Sequence, residues 1–185
     1  MSEPAASAWR TARWALWLPL VLFALFVALV LGGLLRPENR DIPSRMIGQP
    51  MPAFALRAAV PDRPGLARGD LADGRAHLVN IFASWCIPCG VEAPQIAQLA
   101  AQGAIIDGIA IRDHPEDLAQ YLARNGDPYQ RIGADDISAV QLAIGSSGVP
   151  ETFIVDGKGI IRYQHIGDIR PEEVPMILAR LKDAS

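Results

Sequence analysis

The chain has two cysteines, Cys86 and Cys89, separated by two residues within FASWCIPCGVEAP, residues 82–94. Two thiols at this spacing can form a local disulfide, hold part of a metal site, or pack as small buried side chains. Before them, HLVNIFA (His77 to Ala83) is a compact apolar run with Val, Ile and Phe, which predicts a buried strand. After them, Val91, Pro94, Ile96, Leu99 and Ala100 suggest a helix with one apolar stripe, ended by Gly103. A strand-to-helix junction places Cys86 at or near the helix N-terminus, where free N–H groups and the helix dipole favour negative charge. Such a site lowers a thiol pKa and yields a thiolate, the form that attacks disulfides. Cys89 then sits one helical turn along, close enough to attack the mixed disulfide and release the product. Cys86 is therefore the expected nucleophile and Cys89 the expected resolving thiol.

The competing chemistries need ligands that the chain does not place nearby. A structural zinc site wants four Cys or His ligands, and His77, His114 and His165 are not at knuckle spacing from the pair. Two thiolates can bind Cu(I), yet a copper carrier of the same general architecture would space its cysteines by three residues and add a distal histidine. No metal site is expected. Two inert cysteines fit poorly with Trp-Cys-x-Pro-Cys, where Pro88 fixes the loop before the second sulfur. Trp85 both packs this loop and offers a flat apolar surface to a partner.

The rest of the chain must position this pair. Its 185 residues, half of them apolar, suffice for one well-buried domain and an appendage. A net charge of -3 with scattered acids and bases argues against nucleic acid as a partner. From Trp14 to Leu35 there is no charged residue, whereas Arg10 and Arg13 precede and Arg36 and Arg40 follow. That length spans the ~30 Å hydrocarbon core of a bilayer as a helix. A cleaved signal peptide would have a shorter apolar region, about 7 to 15 residues, and a better cleavage site than Val30-Leu31-Gly32. The expected organisation is a short N-terminal segment (1–13), a transmembrane anchor (14–35), a linker (36–45) and a folded domain (46–185).

Within the domain, PAFAL (52–56) reads as a short strand and the following twenty residues as loops rich in turn formers. AIIDGIAI (104–111) reads as a second strand, and PEDLAQYLARNG as a helix with Pro115 in its first turn and Gly126 after its end. Strand, helix, strand, helix at this spacing predicts parallel strands covered by helices. ETFIVD, the turn Asp156 to Gly159 and IIRYQHIG then read as a hairpin, before a last helix from about Pro171 to Lys182.

WCIPCGVEAP resembles the active-site segment of the thioredoxin superfamily, including Pro94 five residues past the second cysteine. SGVPETF (Ser147 to Phe153) resembles the loop where that superfamily carries a cis-proline facing the disulfide; the likeness implies that Pro150 is cis and that Val149 offers its backbone to a bound strand. The longer stretch Gly148 to Ile169 and the entry IGQPMPAFAL (47–56) resemble the CcmG/DsbE branch, membrane-anchored periplasmic proteins of cytochrome c maturation. This chain departs in placing proline at Pro88 instead of directly after the first cysteine, and in having Ser146 and Ser147 where an aromatic residue is common.

The resemblance implies a thioredoxin-like α/β fold, a mixed sheet flanked by helices, with no cofactor beyond the Cys86–Cys89 couple. It implies a domain on the periplasmic face of a bacterial inner membrane, with residues 1–13 in the cytoplasm. It also implies a reductant of the haem-attachment cysteines of apocytochrome c, acting directly or through another thiol protein of the maturation system, and recharged by a membrane electron donor of the CcdA/DsbD type. Glu92 and Glu151 match acidic positions around that branch's active site, where negative charge opposes thiolate formation and handles protons. An oxidase that donates disulfides, and a non-catalytic module that binds apocytochrome or metal, are the alternative readings.

Overall fold

A computed structural model describes residues 6–34 and 45–185, with side chains over 17–33 and 45–185. The chain divides into two compact units, Met1–Asp41 and Ile42–Ser185. The first unit contains helix α1, Ala6–Leu34. Because α1 starts before Trp14, Pro19 lies well inside it, and its missing N–H removes one intrahelical hydrogen bond. Trp17, Phe23, Leu25, Phe26 and Leu29 are all exposed. Among the described residues no helix is long and apolar enough to cross a membrane. The charge-free segment 14–35 runs past the described side chains at both ends, so the expected anchor lies partly outside them, as does the linker apart from Arg45.

In the second unit the central strand is β3, His77–Phe82, following two short strands, β1 (Ala55–Leu56) and β2 (Leu66–Ala67). All six residues of β3 are buried, which accounts for an apolar run without alternation. It pairs in parallel with β4 (Ile105–Ile111), and β4 pairs in parallel with β5 (Arg131–Asp135). On its other side β3 pairs antiparallel with β6 (Glu151–Val155), and β6 pairs antiparallel with β7 (Ile161–Ile166). The order β5-β4-β3-β6-β7 makes a mixed sheet with β3 at its centre. Helices α2 (Ile87–Ala101), α3 (Pro115–Asn125), α4 (Ala139–Ala143) and α5 (Val174–Asp183) complete the unit, with a 3-10 turn at Arg68–Leu71 and another at Pro171–Glu173.

Local sequence explains most of these boundaries. Helix α3 starts with Pro115, buries Leu118, Tyr121 and Leu122 on one face, and stops at Gly126, whose φ of 93° suits a residue without Cβ. The sequence reading does not predict strand β5 or helix α4, because RIGAD holds a single large apolar residue between charged ends and AVQLA is too short for a helical period. Tertiary contacts make β5. Its outer edge is covered by the segment around β1 and β2: Ala59 N donates to Ile132 O, Ile132 N to Pro64 O, and Ala134 N to Arg57 O. A side chain on Gly133 would meet Leu56 at 2.8 Å, so glycine is what lets this layer close.

Candidate active site

Strand β3 ends at Phe82 and a two-residue turn, closed by Cys86 N donating to Ala83 O at 3.2 Å, leads into α2. Cys86 is the N-cap of α2, its backbone extended and its Sγ accepting from Cys89 N at 3.2 Å. The two sulfurs are bonded, with Cα atoms 5.3 Å apart. Both cysteines are buried, Cys86 at 5% exposure and Cys89 at 1%. Pro88 lies in the first turn of the helix, where a missing N–H costs nothing, and Pro94 lies inside it. Tyr121 on α3 donates its hydroxyl to Cys89 O at 2.8 Å, fixing the first turn from behind.

The loop before β6 lines the opposite side of a cleft of about 380 Å3 whose walls include Trp85, Arg112, Ile137, Leu142, Ser147 and Val149. The Val149–Pro150 peptide bond is cis. A proline there offers no N–H donor of its own. Trp85 is 52% exposed and Ile87 83%, which leaves apolar surface around Cys86. A larger open depression, about 530 Å3 and lined by Lys158, Arg162 and Arg180, includes neither cysteine nor any residue of the 146–151 loop. The smaller cleft is the candidate reaction site, because Trp85, the residue before Cys86, forms part of its wall.

Glu92 and Glu151 are both buried, and their surroundings differ. Glu92 lies one helical turn after Cys89 on the buried face of α2 and accepts from Ile169 N at 3.0 Å and Asn80 Nδ2 at 2.9 Å. Burial pushes its pKa up to about 7, against the pull of those two donors and with a further push from the charge of Asp168. Asn80 also donates to Thr152 Oγ1 at 3.1 Å and accepts from Tyr129 Oη at 2.8 Å, so Glu92 ends a chain of neutral polar groups across the sheet. Glu151 instead organises the loop: its carboxylate accepts from Ser146 Oγ at 2.6 Å, Ser147 N at 2.8 Å, Gly148 N at 3.4 Å and Gln164 Nε2. The serines that stand in place of an aromatic residue thus have a defined partner.

Comparison with known proteins adds the family. The Redoxin family matches residues 46–181. A thiol:disulfide interchange protein DsbE of Pseudomonas fluorescens is 40% identical over 157 residues, covering 85% of this chain and 86% of the relative. The thiol:disulfide interchange protein HelX of Rhodobacter capsulatus is 36% identical over 172 residues, covering 91% and 97%. The chain belongs to the DsbE (CcmG) family. It is thus a thiol:disulfide oxidoreductase with a thioredoxin-like fold. A crystal structure of a thioredoxin-family thiol:disulfide interchange protein from Chlorobium tepidum shares that fold, with a TM-score of 0.59 at 24% identity over 77% of this chain and 98% of the other.

In this DsbE-family site Trp85 and Val149 line one cleft, Cys86 and Pro150 adjoin them in the chain, and Cys89, Glu92 and Glu151 are buried, Glu92 on α2 and Glu151 on β6. The apolar stripe of α2 differs from the one expected. Cys89, Glu92, Ile96 and Leu99 face inward, whereas Val91 is 61% exposed. A glutamate took a core position because Asn80 and Ile169 supply its donors, and hydropathy alone does not register that. Sequence reasoning also missed Ser84, Arg112 and Asp113, although Arg112 and Asp113 are the two residues after the end of β4, and ligand-facing groups gather at the carboxyl ends of parallel strands.

Proposed function

We propose that this chain is a membrane-anchored periplasmic oxidoreductase working as a reductant, which keeps the haem-attachment cysteines of apocytochrome c reduced, directly or through another thiol protein. A membrane electron donor of the CcdA/DsbD type would return it to the dithiol. In that cycle the Cys86 thiolate attacks one sulfur of the partner's disulfide, and the partner's other sulfur leaves as a thiolate. Cys89 loses its proton and attacks Cys86 Sγ, which breaks the mixed disulfide and releases the second partner thiol. The partner gains two electrons, and the Cys86–Cys89 pair loses two.

The observation that supports this direction is Glu92, buried one turn beyond Cys89. Strong oxidants of this fold owe their power to a stabilised reduced form. A carboxyl group beneath the thiols acts against that, because its charge opposes a neighbouring thiolate. Its pKa of about 7 also lets it take the Cys89 proton near neutral pH. The charge-free stretch from Trp14 to Leu35 supports an anchor, which would raise the local concentration of partners in the same membrane.

A redox titration of the full-length chain in detergent tests the direction. A midpoint near or below about -180 mV is expected, and one near -120 mV would make the chain a disulfide donor instead. Protease treatment of spheroplasts tests the side: the C-terminal unit should be digested without permeabilising the inner membrane, and protection would place it in the cytoplasm.

A further inference from the structure

Two residues stand between strand β3 with Ala83 and the nucleophile, and both are held from outside by one dipeptide. Ser84 donates twice to Asp113: its N–H to Oδ2 at 2.6 Å and its hydroxyl to Oδ1 at 2.6 Å. Trp85 donates its indole N–H to the carbonyl of Arg112 at 3.2 Å, and the Arg112 guanidinium lies 5.9 Å from the Trp85 ring. Arg112 holds a φ of 44°, a conformation unusual for a residue with a side chain. The surroundings hold it there. Arg112 N donates to Asp135 O at 3.2 Å, and the Asp135 carboxylate accepts from Ala139 N and Gln141 N at the start of α4.

Nothing in the exchange chemistry itself requires these contacts. Cys86 N already closes the turn on Ala83 O, and Cys89 N already meets Cys86 Sγ. What they add is direction, since neither Ser84 nor Trp85 can rotate without breaking a bond to the end of β4. Hydrogen bonds to a carboxylate are among the stronger ones, and a short turn transmits their constraint to the next residue.

We propose that Asp113 is a positioning residue for Cys86: its carboxylate, through both donors of Ser84, fixes the turn so that the Cys86 sulfur meets a partner disulfide in line. Arg112 is its companion, holding Trp85 as the wall beside that approach. The proposal rests on thiol–disulfide exchange at Cys86, and not on the direction of electron flow or on cytochrome c as the partner. Small displacements of a reacting atom are costly, up to about a hundredfold for 1 Å.

The test is insulin reduction by the full-length chain in detergent with dithiothreitol as electron source, measured as kcat and KM. Asp113→Ala should lower kcat roughly tenfold with KM for insulin unchanged, and Ser84→Ala should lower it roughly threefold. The double variant should be no slower than Asp113→Ala, because both act through one contact. Asp113→Asn retains an acceptor for the Ser84 hydroxyl and should recover part of the loss; it also serves if the alanine variant does not fold. Unchanged kcat in Asp113→Asn and Ser84→Ala, with only a lower thermal midpoint, would make the contact structural and overturn the proposal. Losses that multiply in the double variant would overturn it too.

Discussion

Strand β3 and the helix that follows it each bury an ionisable side chain, and their surroundings treat it in opposite ways. At the start of β3, His77 is 3% exposed with Nδ1 at 2.6 Å from Asp107 and Nε2 at 3.0 Å from Asp73. A neutral imidazole can donate from only one nitrogen, so two carboxylates on the ring select the imidazolium. Burial opposes that charge, but the two carboxylates outweigh it and the pKa of His77 is raised. Asp73 is held well below the usual carboxylate range, first by its hydrogen bond from Arg75 and then by His77. Below the disulfide, Glu92 is equally buried but meets neutral donors from Asn80 and Ile169, and its pKa rises to about 7. Counter-charge locks a proton in place. Neutral donors supply no such lock, and Glu92, near the cysteines, is the group whose pKa comes to about 7.

This contrast separates stability from rate, and experiments can force the two apart. Replacing His77 with leucine leaves the Asp107 carboxylate buried beside an apolar group; a loss of roughly 3–5 kcal/mol in urea unfolding is expected, with exchange in the remaining folded protein unchanged. A fall in rate per folded molecule would break the distinction.

The pH dependence of stability should show both groups. For Glu92 the folded pKa of about 7 lies above the ordinary 4.5, so its favourable contribution is full below 4.5, declines as pH rises, and is gone above about 7. At about 1.4 kcal/mol for each pH unit between those values, the loss is on the order of 3 kcal/mol. For His77 the contribution is full below its ordinary 6.5 and is lost as pH climbs through its higher folded value. Urea midpoints of the oxidised protein should therefore decline from pH 4.5 upward. Glu92→Gln should flatten the first part of that decline and His77→Leu the last.

On the kinetic side, Glu92→Gln should slow insulin reduction about a hundredfold, at the low end of what proton transfer contributes, and should remove the inflection near pH 7 from the rate profile. An unchanged inflection would assign that proton to another group. The smallest effect is expected from Tyr129→Phe, which leaves Asn80 Oδ1 without its 2.8 Å donor: about 1–2 kcal/mol of stability, with little change in rate.

Much of this arrangement could be read from the residues alone. The apolar run before the cysteines, Pro115 and Gly126 around α3, and the Asp-Gly turn before β7 are local signals, and local chemistry fixes them. The reading failed where partners distant in sequence decide. Strand β5 depends on Ala59 and Pro64; Glu92 enters the core because Asn80 and Ile169 receive it; Asp113 acquires a role only because Ser84 ends up beside it. His77 was considered for metal spacing and not as half of an ion cluster, since its partner Asp107 lies thirty residues away on another strand. Pairing across a sheet is a property of register, and the register is not visible in one segment.

The covered edge of β5 has a further consequence. Under the proposed function the clients include chains that have not yet folded, and such chains readily add themselves to an open sheet edge. Here the backbone groups of Ile132 and Ala134 are already taken by Arg57, Ala59 and Pro64. A client docking along this side finds no template to extend. On this side of the sheet the protein can therefore meet sticky clients without becoming the seed of their aggregates.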